Sequence, residues 1–418
     1  MRKLQLIALL LFCWTLGFSQ QEFGLEMTKE LCSEKYHGRG YVNDGHKKAA
    51  DFVQQKFDEY GLNPVGDVYQ QSFFFDVNTF PENVELSIGG NKLAVGADFI
   101  IDANSGSYSG ELTPVYINSD KDFFNFEYGK ESRDGKVLII KDINTKDIDT
   151  NQMLRDWKYQ GAQLAPVIFL TDDKYTWTVG RMEFNYPIIE LRDSLFADEI
   201  EQGASIKVNI ENQFIKGLES QNVIAKVEGK NKKRTIVFSA HYDHLGRLGK
   251  DAYFPGANDN ASGVAMLLYL AKYYSENEPK CNIVFMAFGG EEVGLLGSKH
   301  YVSNPLFPLE DIKFLINLDI MGTGDEGITV VNGAVFTKQF KKLTKLNTKG
   351  DYLKKIKMRG KAANSDHYFF TEAGVPSIFI YTMGGVSYYH DIYDKAETLP
   401  LNEFDDLAKL LLEFVKKI

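Results

Sequence analysis

The chain has 418 residues, 44% hydrophobic and 25% charged, an ordinary globular composition with enough length for two domains. A formal net charge of −10 argues against nucleic acid or an anionic membrane surface as partner. Three cysteines without a C-x-x-C pair argue against a cysteine-ligated zinc site.

Met1–Ser19 reads as a signal peptide. Arg2 and Lys3 form a basic start, Leu4–Phe18 is apolar, and Gly17 and Ser19 are small residues placed for cleavage before Gln20. The apolar run is short for a membrane span. The expectation is an exported protein, periplasmic or secreted, with no stable membrane insertion after cleavage. Cys32 and Cys281 then remain, compatible with one disulfide or with two buried thiols.

The rest divides at 20–80, 81–216 and 217–418. Leu25–Tyr36 and Asp44–Tyr60 read as helices. Ala49, Val53 and Phe57 recur every four residues, Asp44 stands where an N-cap belongs, and Gly61 stops the second helix. Val68–Val77 is rich in aromatic and β-branched residues and reads as a strand. Within 81–216 short β-like runs dominate: Val84–Ile88, Leu112–Ile117, Lys136–Ile140, Ala165–Leu170 and Ile206–Ile210, with one helix near Met153–Gln160. This stretch holds no histidine. It reads as an inserted β-rich domain without chemistry of its own.

From Gln221 strands and helices alternate. The strands are Val223–Val227, Thr235–Ala240, Ile283–Phe288, Phe314–Leu318, Ile328–Val331 and Ser377–Tyr381. The helices are Ala261–Tyr274, Leu296–Val302, Val335–Leu346, Asp366–Ala373 and Leu401–Ile418. Such alternation predicts an α/β fold, a mixed and mostly parallel sheet flanked by helices.

Chemistry concentrates where these strands end. His241-x-Asp243 closes one apolar run, and a Gly-containing loop then delivers Asp259. Glu291-Glu292, Asp319 and His390 follow three others. Open α/β sheets place their sites beyond the carboxyl ends of strands. Each residue alone has an ordinary reading: Asp259 as a helix cap, Glu291-Glu292 as a first-turn acidic pair, Asp319 as a turn residue, the histidines as hydrogen-bonded side chains. Together they are zinc's imidazole and carboxylate ligands, and a carboxylate ending an apolar run is costly to desolvate unless paired or metal-bound. Their recurrence at successive strand ends points to a two-zinc hydrolytic centre.

HYDHLG at His241, GANDNASG around Asp259, FGGEEVGLLGS around Glu291, NLDIMG around Asp319, SDHYFF at Ser365 and YYHDIYD around His390 occur in that order. This succession resembles the zinc aminopeptidases of peptidase family M28. The resemblance runs from Gln221 to the C-terminus and includes the opening HGRGYVNDGHKKAADFVQQKFDEYGLNP. GKVLII at Gly135 and GAQLAPVIF at Gly161 resemble a protease-associated (PA) insert. The fold so implied is zinc-peptidase-like, of the phosphorylase/hydrolase type, with a PA-like inserted domain.

The resemblance also implies roles. Asp259 would bridge two Zn2+, with His241 and Asp319 completing one metal and Glu292 and His390 the other. Glu291 would be general base and acid, Asp243 would fix the ring of His241, and Tyr389 would stabilise an oxyanion. A cis peptide would follow Asp259. His244 and His367 fall outside the ligand pattern, and His244 is expected nearer the substrate. The implied activity is removal of N-terminal residues from peptides with a free amino end. A carboxypeptidase or dipeptidase of the same family, a glutaminyl cyclase-like acyltransferase and a catalytically dead binding protein are the alternatives. Oligomeric state is left open.

Overall fold

The computed structural model describes residues 19–143 and 145–418. The expected signal segment therefore lies outside the described residues, Ser19 excepted. No helix among the described residues is long and apolar enough to cross a membrane.

Four strands form the centre of a nine-stranded sheet: Cys281–Phe288, Asn231–His241, Ile312–Leu318 and Ser377–Met383, side by side and all parallel. Gln213–Val227 joins antiparallel on one side and Gly327–Val331 antiparallel on the other. The sheet is mixed, as expected, with antiparallel neighbours on both sides of a parallel centre.

The central strands are mostly apolar where they are buried, because both faces are covered there. Ile236, Phe238 and Ala240 pack with Leu267 and Leu270 of the helix Ser262–Glu276. Val237 turns the other way, to Val284, Met286, Tyr301 and Phe370. Among the described residues, Cys32 and Cys281 are buried free thiols. Burial pushes the Cys32 thiol up to about 12, which leaves it unreactive.

The first helix, Gln20–Leu31, starts earlier than its apolar spacing indicates. Ser19 and Glu22 form a reciprocal capping box there. Asp44 does precede the helix Gly45–Glu59, but it does not cap it. Its backbone is left-handed, with φ 56°, and its side chain makes no cap hydrogen bond. His46 N–H donates to the Gly40 carbonyl instead, at 2.8 Å.

Strands between Val84 and Ile210 build a second, eight-stranded sheet. The chain passes into it after Thr79 and out of it before Gln213, and these two residues are paired across the antiparallel ribbon of Gln70–Thr79 and Gln213–Val227. Helices Asp120–Tyr128 and Asp193–Glu201 accompany Ile148–Gly161 here. The two extra ones are nine residues each and bury only Phe123 in the first and Ala197 and Ile200 in the second. Val137 and Ile139 pack toward Leu245, Leu248 and Phe254; Leu138 and Ile140 pack toward Leu154 and Trp157. One face of the second sheet thus rests on the segment that runs from His241 to Asp259.

Candidate metal centre

The parallel strands deliver their acids and imidazoles to one edge. His241 is the last residue of its strand and lies in register with Phe288, so Glu291 and Glu292 follow just beyond. Asp319 directly follows Leu318, and His390 sits in the loop after Met383 with a left-handed φ of 52°.

His241 Nε2 lies 3.3 Å from Asp259 Oδ1 and 3.4 Å from Asp319 Oδ1. His390 Nε2 lies 3.1 Å from Asp259 Oδ2 and 3.2 Å from Glu292 Oε2. Asp259 therefore turns one oxygen toward each of two imidazole–carboxylate pairs. Glu291 and Tyr389 line the same cavity, of about 230 Å³, together with Ile320, Arg359, Phe379 and Tyr381. A larger cleft, of about 960 Å³ beside Phe73 and His300, has no such donor set.

These residues fit a metal. In three groups among the described residues, one ligand atom per residue lies within 4.8 Å of the others: His241, Asp259 and Asp319; His241, Glu291 and Glu292; His244, Asp259 and Glu292. Asp319 Oδ1 is buried and accepts no hydrogen bond. A buried carboxylate oxygen without a partner is costly unless a cation meets it, and nitrogen and oxygen donors suit zinc.

The charges are divided unequally. Burial opposes ionisation of Asp259, but His241 and His390 hold its carboxyl well below the usual range. Burial likewise opposes charge on His390, yet Glu292 and Asp259 push it up to about 11. Glu292 is lowered to about 2, burial being outweighed chiefly by His390. Glu291 goes the other way: burial pushes its carboxyl well above the usual range against the pull of His241, and Glu292, Asp366 and Asp319 add to the rise. Adjacent glutamates whose environments push them apart suit different tasks, one ligation and one proton transfer. Burial and the neighbouring acids raise the Tyr389 hydroxyl, keeping it a neutral donor, and its ring stacks on His390 with centroids 4.0 Å apart.

The loops are braced by their own polar residues. Asn258 Oδ1 accepts from Gly322 N–H at 2.9 Å, Asn260 Oδ1 from Ile320 N–H at 3.1 Å, and Ser262 Oγ from Met321 N–H at 2.8 Å. Each ties the Asp259 loop to the Asp319 loop. The Asp259–Asn260 peptide bond is cis, as the resemblance implies. Ser239 Oγ donates to Asn317, Asn317 to Ser365 and Ser365 to Asp319 Oδ2, at 2.7, 2.7 and 2.8 Å. This buried chain orients the Asp319 carboxylate.

Two supporting residues escaped the sequence reading. Asp394 accepts from the backbone N–H groups of Asn258 and Asp259, at 2.9 and 3.0 Å. Arg39, fully buried, donates to the carbonyls of Leu31, Tyr242, Pro255, Gly256 and Asp259. Its removal would strand buried carbonyls at a cost of about 1–3 kcal/mol each. Neither residue shows itself in sequence, since a buried arginine bonded to backbone reads like a surface one.

Two expectations are corrected. The Asp243 carboxylate does not fix the ring of His241. His241 Nδ1 faces the Asp243 backbone carbonyl at 3.1 Å, while the carboxylate oxygen is 3.8 Å away. The way the chain leaves this strand brings the carbonyl nearer to the ring than the side chain. The carboxylate accepts instead from Tyr41 O–H at 2.9 Å and from Glu291 N–H at 3.1 Å, so it positions the glutamate pair. His244 is fully buried, with Nδ1 2.7 Å from Glu292 Oε1. It braces Glu292 and does not line the cavity. His367 is buried beside Phe379, with ring centroids 5.4 Å apart.

Fold and site together define a class: an α/β protein whose parallel strand ends present a nitrogen–oxygen donor set that could hold a metal. Residues 222–415, just under half of the chain, match the model of peptidase family M28. The chain is 28% identical to aminopeptidase YwaD of Bacillus subtilis over 268 residues, 60% of this chain and 54% of that protein. It is 30% identical over 183 residues to a vacuolar membrane protease of Candida glabrata, 43% of this chain and 18% of that one. The chain thus spans from about a fifth to about half of these relatives' lengths. The solved structure of BSAP, a zinc aminopeptidase from Bacillus subtilis, superposes with a TM-score of 0.70 at 21% identity, over 96% of this chain and 95% of that one, a likeness of fold.

Proposed function

We propose that the protein is an exported zinc-dependent aminopeptidase. The observation that carries this reading is Asp259, whose two oxygens face two separate imidazole–carboxylate pairs. In this reading His241 and Asp319 would hold one zinc, Glu292 and His390 would hold another, and Asp259 would be shared between them. The names of the Bacillus relatives, aminopeptidase and zinc aminopeptidase, support it. Residues 81–216 are read as a PA-like insert in the peptidase domain of 20–80 and 217–418, and Met1–Ser19 as the export signal.

Zinc, when bound, supplies polarisation of the scissile carbonyl and acidification of water. The chain's own residues do the rest. Glu291 accepts a proton from the attacking water at its carboxylate and returns it to the departing amine. Its raised affinity for protons suits that shuttle, and the hydrogen bond from its N–H to Asp243 holds it in place. Tyr389 O–H donates to the carbonyl oxygen as negative charge develops there. The carboxylates around the cavity favour a substrate's cationic amino terminus.

A second reading has one observation in its favour. Among the described residues, Arg359 is the one lysine or arginine lining the cavity, which suits a substrate carboxylate within reach, as in a dipeptide or at a C-terminus. Aminoacyl-p-nitroanilides with and without an N-acetyl cap separate the two. Zinc-dependent hydrolysis confined to uncapped substrates is expected. Equal hydrolysis of both forms, or turnover of dipeptides alone, would overturn the aminopeptidase reading.

A further inference from the structure

We propose that Lys174 and Trp177, both in the second sheet's segment between the strands Val167–Leu170 and Ile188–Leu191, are positioning residues for His390. The inserted sheet then completes one half of the metal centre. This rests on the reading of His390 as a ligand.

Trp177 grips His390 twice through its backbone. His390 Nδ1 lies 2.9 Å from the Trp177 carbonyl, and Trp177 N–H donates to the His390 carbonyl at 3.0 Å. The first contact puts the proton on Nδ1 and leaves Nε2, the atom facing Asp259 and Glu292, free to ligate. Trp177 is itself fixed. Its indole N–H donates to Ile101 O at 3.0 Å, and its ring stacks on Phe254 with centroids 4.8 Å apart and planes 17° apart.

Lys174 holds the residues on either side of the ligand. Its ammonium donates to the carbonyls of Ser387, at 2.9 Å, and Tyr389, at 3.2 Å, and pairs with Asp391 Oδ2 at 2.8 Å. The Asp391 side chain is only 7% exposed, whereas that of Lys174 is 50% exposed. The loop from Gly385 to His390 has no strand or helix of its own. An imidazole on such a loop keeps its orientation only through its contacts, and outer partners of this kind typically carry about 10–100-fold in metal affinity.

The test titrates Zn2+ into the chelator-stripped full chain against a competing fluorescent indicator. His390→Ala identifies the binding step that depends on this ligand. Lys174→Met is expected to weaken that same step by about 10-fold, leaving the other step and the unfolding midpoint near wild type, with Lys174→Arg largely restoring it. Lys174→Met leaving the His390-dependent step within about twofold, or weakening both steps alike, would overturn the proposal. If His390→Ala removes no step, the reading of His390 as a ligand fails, and this inference falls with it.

Discussion

Glu291→Gln is expected to keep the protein's zinc and to lose about 10²–10⁴-fold in turnover. Glutamine preserves the volume, and the backbone N–H at 291 still reaches Asp243. What it removes is a carboxylate able to take and return a proton. Glu292 beside it cannot substitute: one oxygen faces His390 and the other His244, and its carboxyl is lowered to about 2. Zinc content and kcat are measured on the same preparation. Zinc lost together with turnover would make Glu291 a ligand, a part its place beside His241 and Glu292 would allow.

Asp259→Asn is expected to act on metal instead. The side chain keeps its size, and Asp394 still accepts the two backbone N–H groups that shape the loop. One oxygen becomes an amide NH2, which cannot ligate and would point a donor at an imidazole. Both imidazole–carboxylate pairs lose their shared anion, so each should bind zinc at least about 100-fold more weakly, at or beyond the upper end for outer-shell partners. Activity should fall to background at stoichiometric zinc. A fully metallated, active variant would remove Asp259 from the bridging position.

Much of this was legible in sequence because the chemistry sits at strand ends. His241, Asp319 and the Glu291-Glu292 pair each close or follow a buried apolar run, and burial makes such runs easy to read. Asp259 and His390 were legible through the motifs around them. What escaped are contacts that depend on chain crossings. Arg39 lies about two hundred residues from the carbonyls of Tyr242, Pro255 and Gly256 that it serves. Trp177 is separated from His390 by 213 positions, in a stretch without a histidine. Asp243 was misassigned because its spacing from His241 suits either its carbonyl or its carboxylate, and only the strand's exit geometry decides. The 81–216 stretch looked chemically inert, and its side chains do stay out of the cavity, but its backbone reaches a candidate ligand.

The most direct test of the two-metal reading counts zinc. The chelator-stripped protein is titrated with Zn2+ while hydrolysis of an uncapped aminoacyl-p-nitroanilide is followed. Two equivalents bound per chain, with activity lost in Asp259→Asn, is the predicted result. Saturation of binding and activity at a single equivalent would contradict the bridged centre built on Asp259.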